Sequence, residues 1–374
     1  LHSLRFTSVP VTARTEWVFA EITDDSGLTE VIEITSGKDS PRVIELVTSM
    51  VSQLRDQEVA GETEIPALLG LKTAALQRDR PLATALSALR TALIGLQARH
   101  QGVSLVVALG GAAQESIPLY ANINRSLLGD HRTPTHFAAA AEQALRDGFT
   151  IIKCAPFDDL HSPATVEDIL EVAKPGIDRV AAVRAVVGPE VRVLVDCHSR
   201  FEAHTAPLVA EQLARLDVGW FEEPVSPTED LEGLAQIAGN ISMPTAGGEA
   251  GYGADFFADL IESKAVNVIM PDPKFCGGVA EATKAGRAAL QAGGNVSLHC
   301  PAGPVSQLAS AQVTAALPGA MPLEHAVNEA SWRKELMQPP ERIEQGRFWF
   351  PSGTGIGAAL DQGVVRSRGR QWTG

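Results

Sequence analysis

Apolar positions along the chain fall into two regimes. In the first hundred residues they form two short runs, Thr15–Thr23 and Leu28–Ile34, separated by Asp24-Asp25-Ser26-Gly27. A polar, glycine-ended tetrapeptide between two strand-like runs predicts a hairpin. Two stretches with apolar residues at helical spacing follow, Arg42–Arg55 and Leu82–Arg99, with Pro81 just ahead of the second, where a helix start accommodates proline. A hairpin followed by helices predicts an α+β module over residues 1–115.

Beyond residue 115 short apolar runs alternate with amphipathic stretches. The runs are Ile117–Ile123, Thr150–Ala155, Val191–Cys197, Val218–Glu223, Pro244–Glu249, Val266–Asp272, Asn295–Cys300 and Pro322–Ala326. Helical patterns such as His136–Arg146, Ile177–Val187, Ala206–Leu216 and Val305–Leu317 lie between them, and Gly148 and Gly188-Pro189 end two of them as C-terminal caps do. Eight strand–helix units predict an α/β fold of the (β/α)8 barrel type over residues 116–331. A doubly wound sheet is disfavoured because Ala121-Asn122-Ile123-Asn124 is not a glycine-rich phosphate turn. Residues 332–374 read as a loop-like segment packing back on the N-terminal module.

Composition changes this picture little and charge changes it more. The 374 residues are 45% hydrophobic and 20% charged, ordinary for a globular chain. Thirty-one Lys and Arg against 45 Asp and Glu leave a formal charge of −14, which disfavours nucleic acid and anionic membrane as partners but not a small anionic substrate. No apolar run is long enough to span a bilayer, and no basic segment followed by an apolar one opens the chain. Cys154, Cys197, Cys276 and Cys300 have no CxxC spacing, so the expectation is reduced cysteines in a cytoplasmic protein.

Active sites of such barrels collect at the C-terminal ends of the strands. Successive runs, from the second onward, close near Lys153, Asp196, Glu222, Glu249, Asp272, His299 and Glu324. One charge at a strand end is usually the start of a solvated loop; seven converging on one mouth would repel if left unpaired. Asp196, Glu222 and Glu249 come from adjacent strands and offer only oxygen, which suits Mg²⁺, with Mn²⁺ possible. Glu223 alternates to the other side of its strand and reads as an ion-pair or supporting residue. Asp272 and His299 end adjacent strands, so the carboxylate can fix the imidazole tautomer and leave the other nitrogen to move protons. His198, two residues past Asp196, is a candidate second acid or base.

The ordered motifs KCAPFD, VLVDCHSRF, WFEEPVSP, GGEAGYG, MPDPKFCGG, LHCPAGPVS and PLEHAV resemble the enolase superfamily, within its mandelate racemase subgroup. The resemblance spans nearly the whole chain, the N-terminal module matching that family's capping domain. It implies a Mg²⁺ enzyme that removes the α-proton of a carboxylate substrate, with Asp196, Glu222 and Glu249 as metal ligands. It further implies Asp272 and His299 as the catalytic dyad and Glu324 as a hydrogen-bonding partner of the developing enediolate. Family racemases carry Lys-x-Lys on the second strand, whereas this chain has Lys153-Cys154-Ala155 and lacks the second base. Asp196-Cys197-His198 and the run from His299 look most like the galactonate dehydratase-like branch. The expectation is therefore a sugar-acid dehydratase, forming a 2-keto-3-deoxy acid by loss of the α-proton and β-hydroxyl. In it His299 is the base and His198 the acid, or the two exchange these roles, and Lys153 is a positive charge on the substrate carboxylate.

Alternatives at this level are a racemase or epimerase of a hydroxy acid or cyclic amino acid, using His198 or Lys274 opposite His299, and a hydroxyproline dehydratase. A catalytically silent binding protein is the non-enzyme reading. Arg200, Lys274, Asn122, Asn124 and Trp332 are candidate substrate contacts by location alone. The resemblance also implies a homo-oligomer, from dimer to octamer.

Overall fold

The computed structural model describes residues 1–55, 57–127, 131–160 and 166–374. The chain opens with strands β1 (Ser3–Pro10), β2 (Glu16–Thr23) and β3 (Thr29–Glu33), which pair antiparallel in sequence order. The β2–β3 turn forms because the Asp24 carboxylate accepts the Ser26 and Leu28 N–H groups at 2.9 and 3.0 Å while Gly27 takes φ +87°. Helices Ser40–Leu54 and Arg80–His100 cover this sheet and bury Phe6, Val18, Ile22, Val47, Leu86 and Leu96. The second helix is capped by Asp79, whose carboxylate accepts the Leu82 N–H at 3.1 Å.

The sequence pattern did not reveal β1. Its buried positions include Thr7 and Ser8, so the apolar alternation that marks a strand is blurred.

Eight parallel strands follow: β4 (Ser116–Asn122), β5 (Ile151–Cys154), β6 (Arg192–Asp196), β7 (Val218–Glu222), β8 (Thr245–Gly247), β9 (Val268–Ile269), β10 (Asn295–Val296) and β11 (Leu323–Ala326). They pair in chain order from β4 to β10, and β11 pairs with β4. Between β10 and β11 the Met321 N–H donates to the Val296 carbonyl at 2.8 Å and Ser297 Oγ to the Pro322 carbonyl at 2.9 Å. These bonds close the barrel.

The strands are shorter than the apolar runs. Glu249 lies two residues past the β8 ladder, and Asp272 and His299 lie three past those of β9 and β10. Those side chains stand on segments leaving the sheet. The helix expected from Ile177 begins at Ile169 and carries Pro175 inside it. The segment after residue 331 is not loop-like throughout. It contains helix Gln362–Arg368 and strand Arg370–Thr373, which adds to the edge of β1.

Side-chain alternation divides the barrel interior into two layers. The lower is apolar: Tyr120, Leu194, Trp220, Ala246, Val268 and Met270 form one cluster, with Ile151 against it. Two residues further along, the same strands present Asn122, Lys153, Asp196, Glu222 and, past β9, Asp272. The polar chemistry therefore rests on a packed hydrophobic floor.

Candidate active site

Lys153 is the hub of the upper layer. Its side chain is fully buried, and Nζ pairs with Glu222 Oε1, Glu324 Oε1 at 3.0 Å and Asp196 Oδ2 at 3.2 Å. Burial opposes the ammonium, yet these three carboxylates outweigh it and hold Lys153 well above the usual lysine range. Burial and the neighbouring Asp196 push the Glu222 carboxyl up. Asp196 moves down: burial opposes its ionisation, but Lys153 and His198 prevail.

Asp196, Glu222 and Glu249 each turn one oxygen to a common point, and these atoms lie within 4.8 Å of one another. The set offers no nitrogen or sulfur, which fits a hard divalent cation. Supporting contacts aim the carboxylates. Trp220 Nε1 donates to Glu222 Oε2 at 3.0 Å, and the His198 N–H donates to Asp196 Oδ1 at 3.0 Å. Glu223 has φ +37°, which breaks the strand there. Its Oε1 accepts the N–H groups of Gly248 at 2.7 Å and Glu249 at 3.2 Å, so it pins the turn that presents Glu249. A Cβ at Gly247 would lie 2.8 Å from Glu223 Cγ, and only glycine leaves room for this approach. Burial and Glu249 push the Glu223 carboxyl up to about 7. Its place is that of a supporting residue with no ion pair among the described residues.

His299 stands at the edge of this group. Nδ1 is 2.9 Å from Asp272 Oδ2, and Nε2 is 2.8 Å from Glu249 Oε2. Burial disfavours the imidazolium, but Glu249 and Asp272 together push His299 up to about 10. The second histidine, His198, is more open, with a side chain 38% exposed. Its Nε2 is 3.1 Å from Asp196 Oδ2 and its Nδ1 2.5 Å from Asp158 Oδ1. Asp196 first, and Asp158 by its hydrogen bond, raise its basicity.

Other expected contacts are placed differently. Glu324 accepts from Asn122 Nδ2 and the Cys300 N–H, both at 2.8 Å, as well as from Lys153. All these partners are donors, so in this arrangement its oxygens brace the barrel seam. Asn122 is consumed internally, because its Oδ1 takes the Asn124 N–H at 2.9 Å. Asn124 in turn accepts the Ala155 N–H at 2.6 Å. Arg200 is exposed on the turn beyond β6. Trp332 packs edge-on against Trp17, with ring centroids 5.7 Å apart. Lys274 is half-buried, and its N–H donates to Asp272 Oδ1 at 2.9 Å. All four cysteines are buried and free, and no helix among the described residues is long and apolar enough to cross a membrane.

Sequence reasoning missed Trp220 and Asp158. Trp220 was legible in principle, since it sits two residues before Glu222 on the same strand face. Asp158 closes the KCAPFD motif, but it lies in a turn and nothing in the motif pairs it with His198.

Residues 136–364 match the enolase C-terminal domain-like family. The chain belongs to the enolase superfamily. Its sequence is 32% identical over 291 residues to a D-gluconate dehydratase of Thermoproteus tenax, covering 78% of this chain and 57% of that protein. It is 27% identical over 290 residues to a D-galactarolactone cycloisomerase of Agrobacterium fabrum, covering 75% of this chain and 73% of that one. The chain thus spans little more than half the length of the gluconate dehydratase. A solved structure of an enolase superfamily member from Salmonella Typhimurium superimposes with a TM-score of 0.88 at 23% identity, over 100% of this chain and 99% of that one. This last likeness establishes the fold, a capping module on a (β/α)8-type barrel.

Proposed function

We propose that the protein is a Mg²⁺-dependent sugar-acid dehydratase. The observation that carries the reading is an asymmetry across the barrel mouth. His299 is oriented by Asp272, whereas residue 155, where family racemases carry a second lysine as base, is a buried alanine; His198, held by Asp158, stands on the turn after the next strand. Racemisation needs a proton-transferring group on each face of one carbon. Dehydration needs a base for the α-proton and an acid for the departing β-hydroxyl. The similarity to a gluconate dehydratase supports the same choice.

Asp196, Glu222 and Glu249 would hold the ion, which supplies positive charge to the substrate carboxylate as the α-proton leaves. Lys153 adds a fixed charge beneath it. Holding the ion would turn Glu249 away from Nε2 and remove the charge that raises His299 most, leaving the ring neutral; His299 Nε2 then takes the α-proton while Asp272 on Nδ1 holds the ring and stabilises the imidazolium. The electron pair from the α C–H bond forms the new C=C as the β C–O bond breaks. His198 gives its proton to the leaving hydroxide, water departs, and the enol tautomerises to a 2-keto-3-deoxy acid.

Proton NMR in D₂O with Mg²⁺ and a panel of hexonates, pentonates, aldarates and hydroxyprolines tests this. A 2-keto-3-deoxy product, lowered about 10²–10⁴-fold by His299→Asn, is expected. Deuterium at the α-carbon with the hydroxyl retained would replace dehydration by racemisation or epimerisation.

A further inference from the structure

A cavity of about 320 Å³ lies between the capping module and the barrel mouth, within the size range of small-molecule sites (roughly 300–1,000 Å³). His299 lines one part of it. Its other ionisable walls are Arg14, Arg80, Arg125 and Lys274 against Glu16 and Asp39, an excess of positive charge in a protein whose net charge is −14.

Arg125 is already engaged: Nη2 donates to the Pro301 carbonyl at 2.8 Å, and Nε lies 3.7 Å from Glu329 Oε1. Arg14, Arg80 and Lys274 form no salt bridge among the described residues, although neighbouring Arg42 pairs with Asp79. The Arg80 guanidinium stacks over the Phe275 ring at 4.0 Å, and Lys274 Nζ lies 4.8 Å from the same ring centre. One aromatic ring thus stands against two cations. Stacking holds the guanidinium plane and leaves its N–H edge free to bind an oxyanion.

The three cations come from different parts of the fold. Arg14 lies in the β1–β2 turn, Arg80 at the start of the capping helix, and Lys274 two residues past Asp272, on the segment that carries the dyad. Each stands on the cavity that His299 also lines, and none of Asp196, Glu222 and Glu249 lines it. Thr15, Thr35, Ser36 and Thr84 offer neutral hydrogen bonds on the same cavity, and the excess of cations over Glu16 and Asp39 adds to them an attraction for an anion.

We propose that the substrate is a dianion, with a second anionic group, carboxylate or phosphate, at the end distant from the reacting carboxylate, bound by Arg80, Lys274 and Arg14. This rests on the sugar-acid reading above.

The test compares stereoisomeric hexarates with their matched hexonates, and 6-phosphohexonates with theirs. kcat/KM is measured by appearance of keto acid, and Kd by calorimetry, on wild type, Arg80→Gln and Arg80→Lys. We expect at least a tenfold preference for one class of dianion over its monoanion in both readouts. Arg80→Gln should bring that ratio towards one and Arg80→Lys should keep most of it. Preference for the hexarate identifies a carboxylate and for the phosphohexonate a phosphate. Dehydration of hexonates with ratios near one in both pairs overturns the dianion and leaves the dehydratase standing. Absence of keto acid from every compound overturns the dehydratase, and Kd then decides: tighter binding of dianions that Arg80→Gln abolishes keeps the anion subsite, and equal or absent binding removes it.

Discussion

Carboxylates buried side by side are tolerated only when positive charge is buried with them. Here Lys153 supplies it, touching Asp196, Glu222 and Glu324 at once. Lys153→Met should therefore destabilise the metal-free protein by about 3–5 kcal/mol, because it leaves the acidic groups unpaired. Added Mg²⁺ should recover part of the loss, and thermal unfolding with and without the ion reads both. Equal destabilisation in the two conditions would separate Lys153 from the metal trio. Glu222→Gln removes a charge from that trio and should weaken Mg²⁺ binding by about 10–100-fold or more, as measured by calorimetric titration. Unchanged affinity would take Glu222 out of the ligand set.

At the scale of the element, the period of two along each barrel strand sorts the interior into an apolar floor and an ionic layer. Tyr120 belongs to the floor, and its buried hydroxyl has no hydrogen-bond partner among the described residues. Tyr120→Phe should be neutral or stabilising by up to about 1 kcal/mol; a clear loss in denaturant midpoint would reveal a partner for the hydroxyl. On β11 the alternation places Glu324 inside and His325 outside, where its Nδ1 is 3.0 Å from Gln307 Oε1 and its ring stacks with Phe149. Burial first, and Arg333 second, hold His325 well below the usual histidine range. An unfolded histidine titrates near about 6.5, so below that pH the unfolded chain binds a proton that the folded chain refuses. His325 therefore costs nothing in this respect above that value and lowers stability as the pH falls. The stability advantage of wild type over His325→Leu should shrink by up to about 1.4 kcal/mol between pH 7.5 and 5.5. A difference independent of pH would mean the ring accepts a proton in place.

Over the whole molecule, a few buried charges tie the capping module to the barrel. Glu33, the last residue of β3, accepts the N–H groups of Gly303 at 2.9 Å and Ser306 at 3.0 Å, at the start of helix Pro304–Ala315. That carboxylate ties the cap to the segment leaving His299, in the position where a helix dipole favours negative charge. Arg90 adds a second tie between Glu62 of the cap and Glu281 of the barrel. Glu33→Gln should cost about 1.5–3 kcal/mol by thermal unfolding and raise KM more than it lowers kcat. A variant as stable as wild type would show that the tie contributes nothing net.

The local code of the chain determined a good deal. Eight apolar runs separated by helical patterns specify the barrel, because burying both faces of each parallel strand requires that alternation. Polar residues at the ends of those runs, at positions such as Lys153, Asp196 and Glu222, announce a site at the C-terminal mouth. What escaped the sequence depends on distance through space. Nothing in the one-dimensional pattern says that Lys153 would bridge three carboxylates, that Glu324 would spend its oxygens on Asn122 and a backbone N–H, or that Asp158 would reach His198 from another turn. β1 was hidden because its pairing with β2 and with Arg370–Thr373 buries polar side chains as well as apolar ones. Periodicity records which face of an element is buried. Which charged groups then meet is decided by closure of the barrel and seating of the cap, since hydrogen bonds and ion pairs act over a few ångströms between residues far apart in the chain.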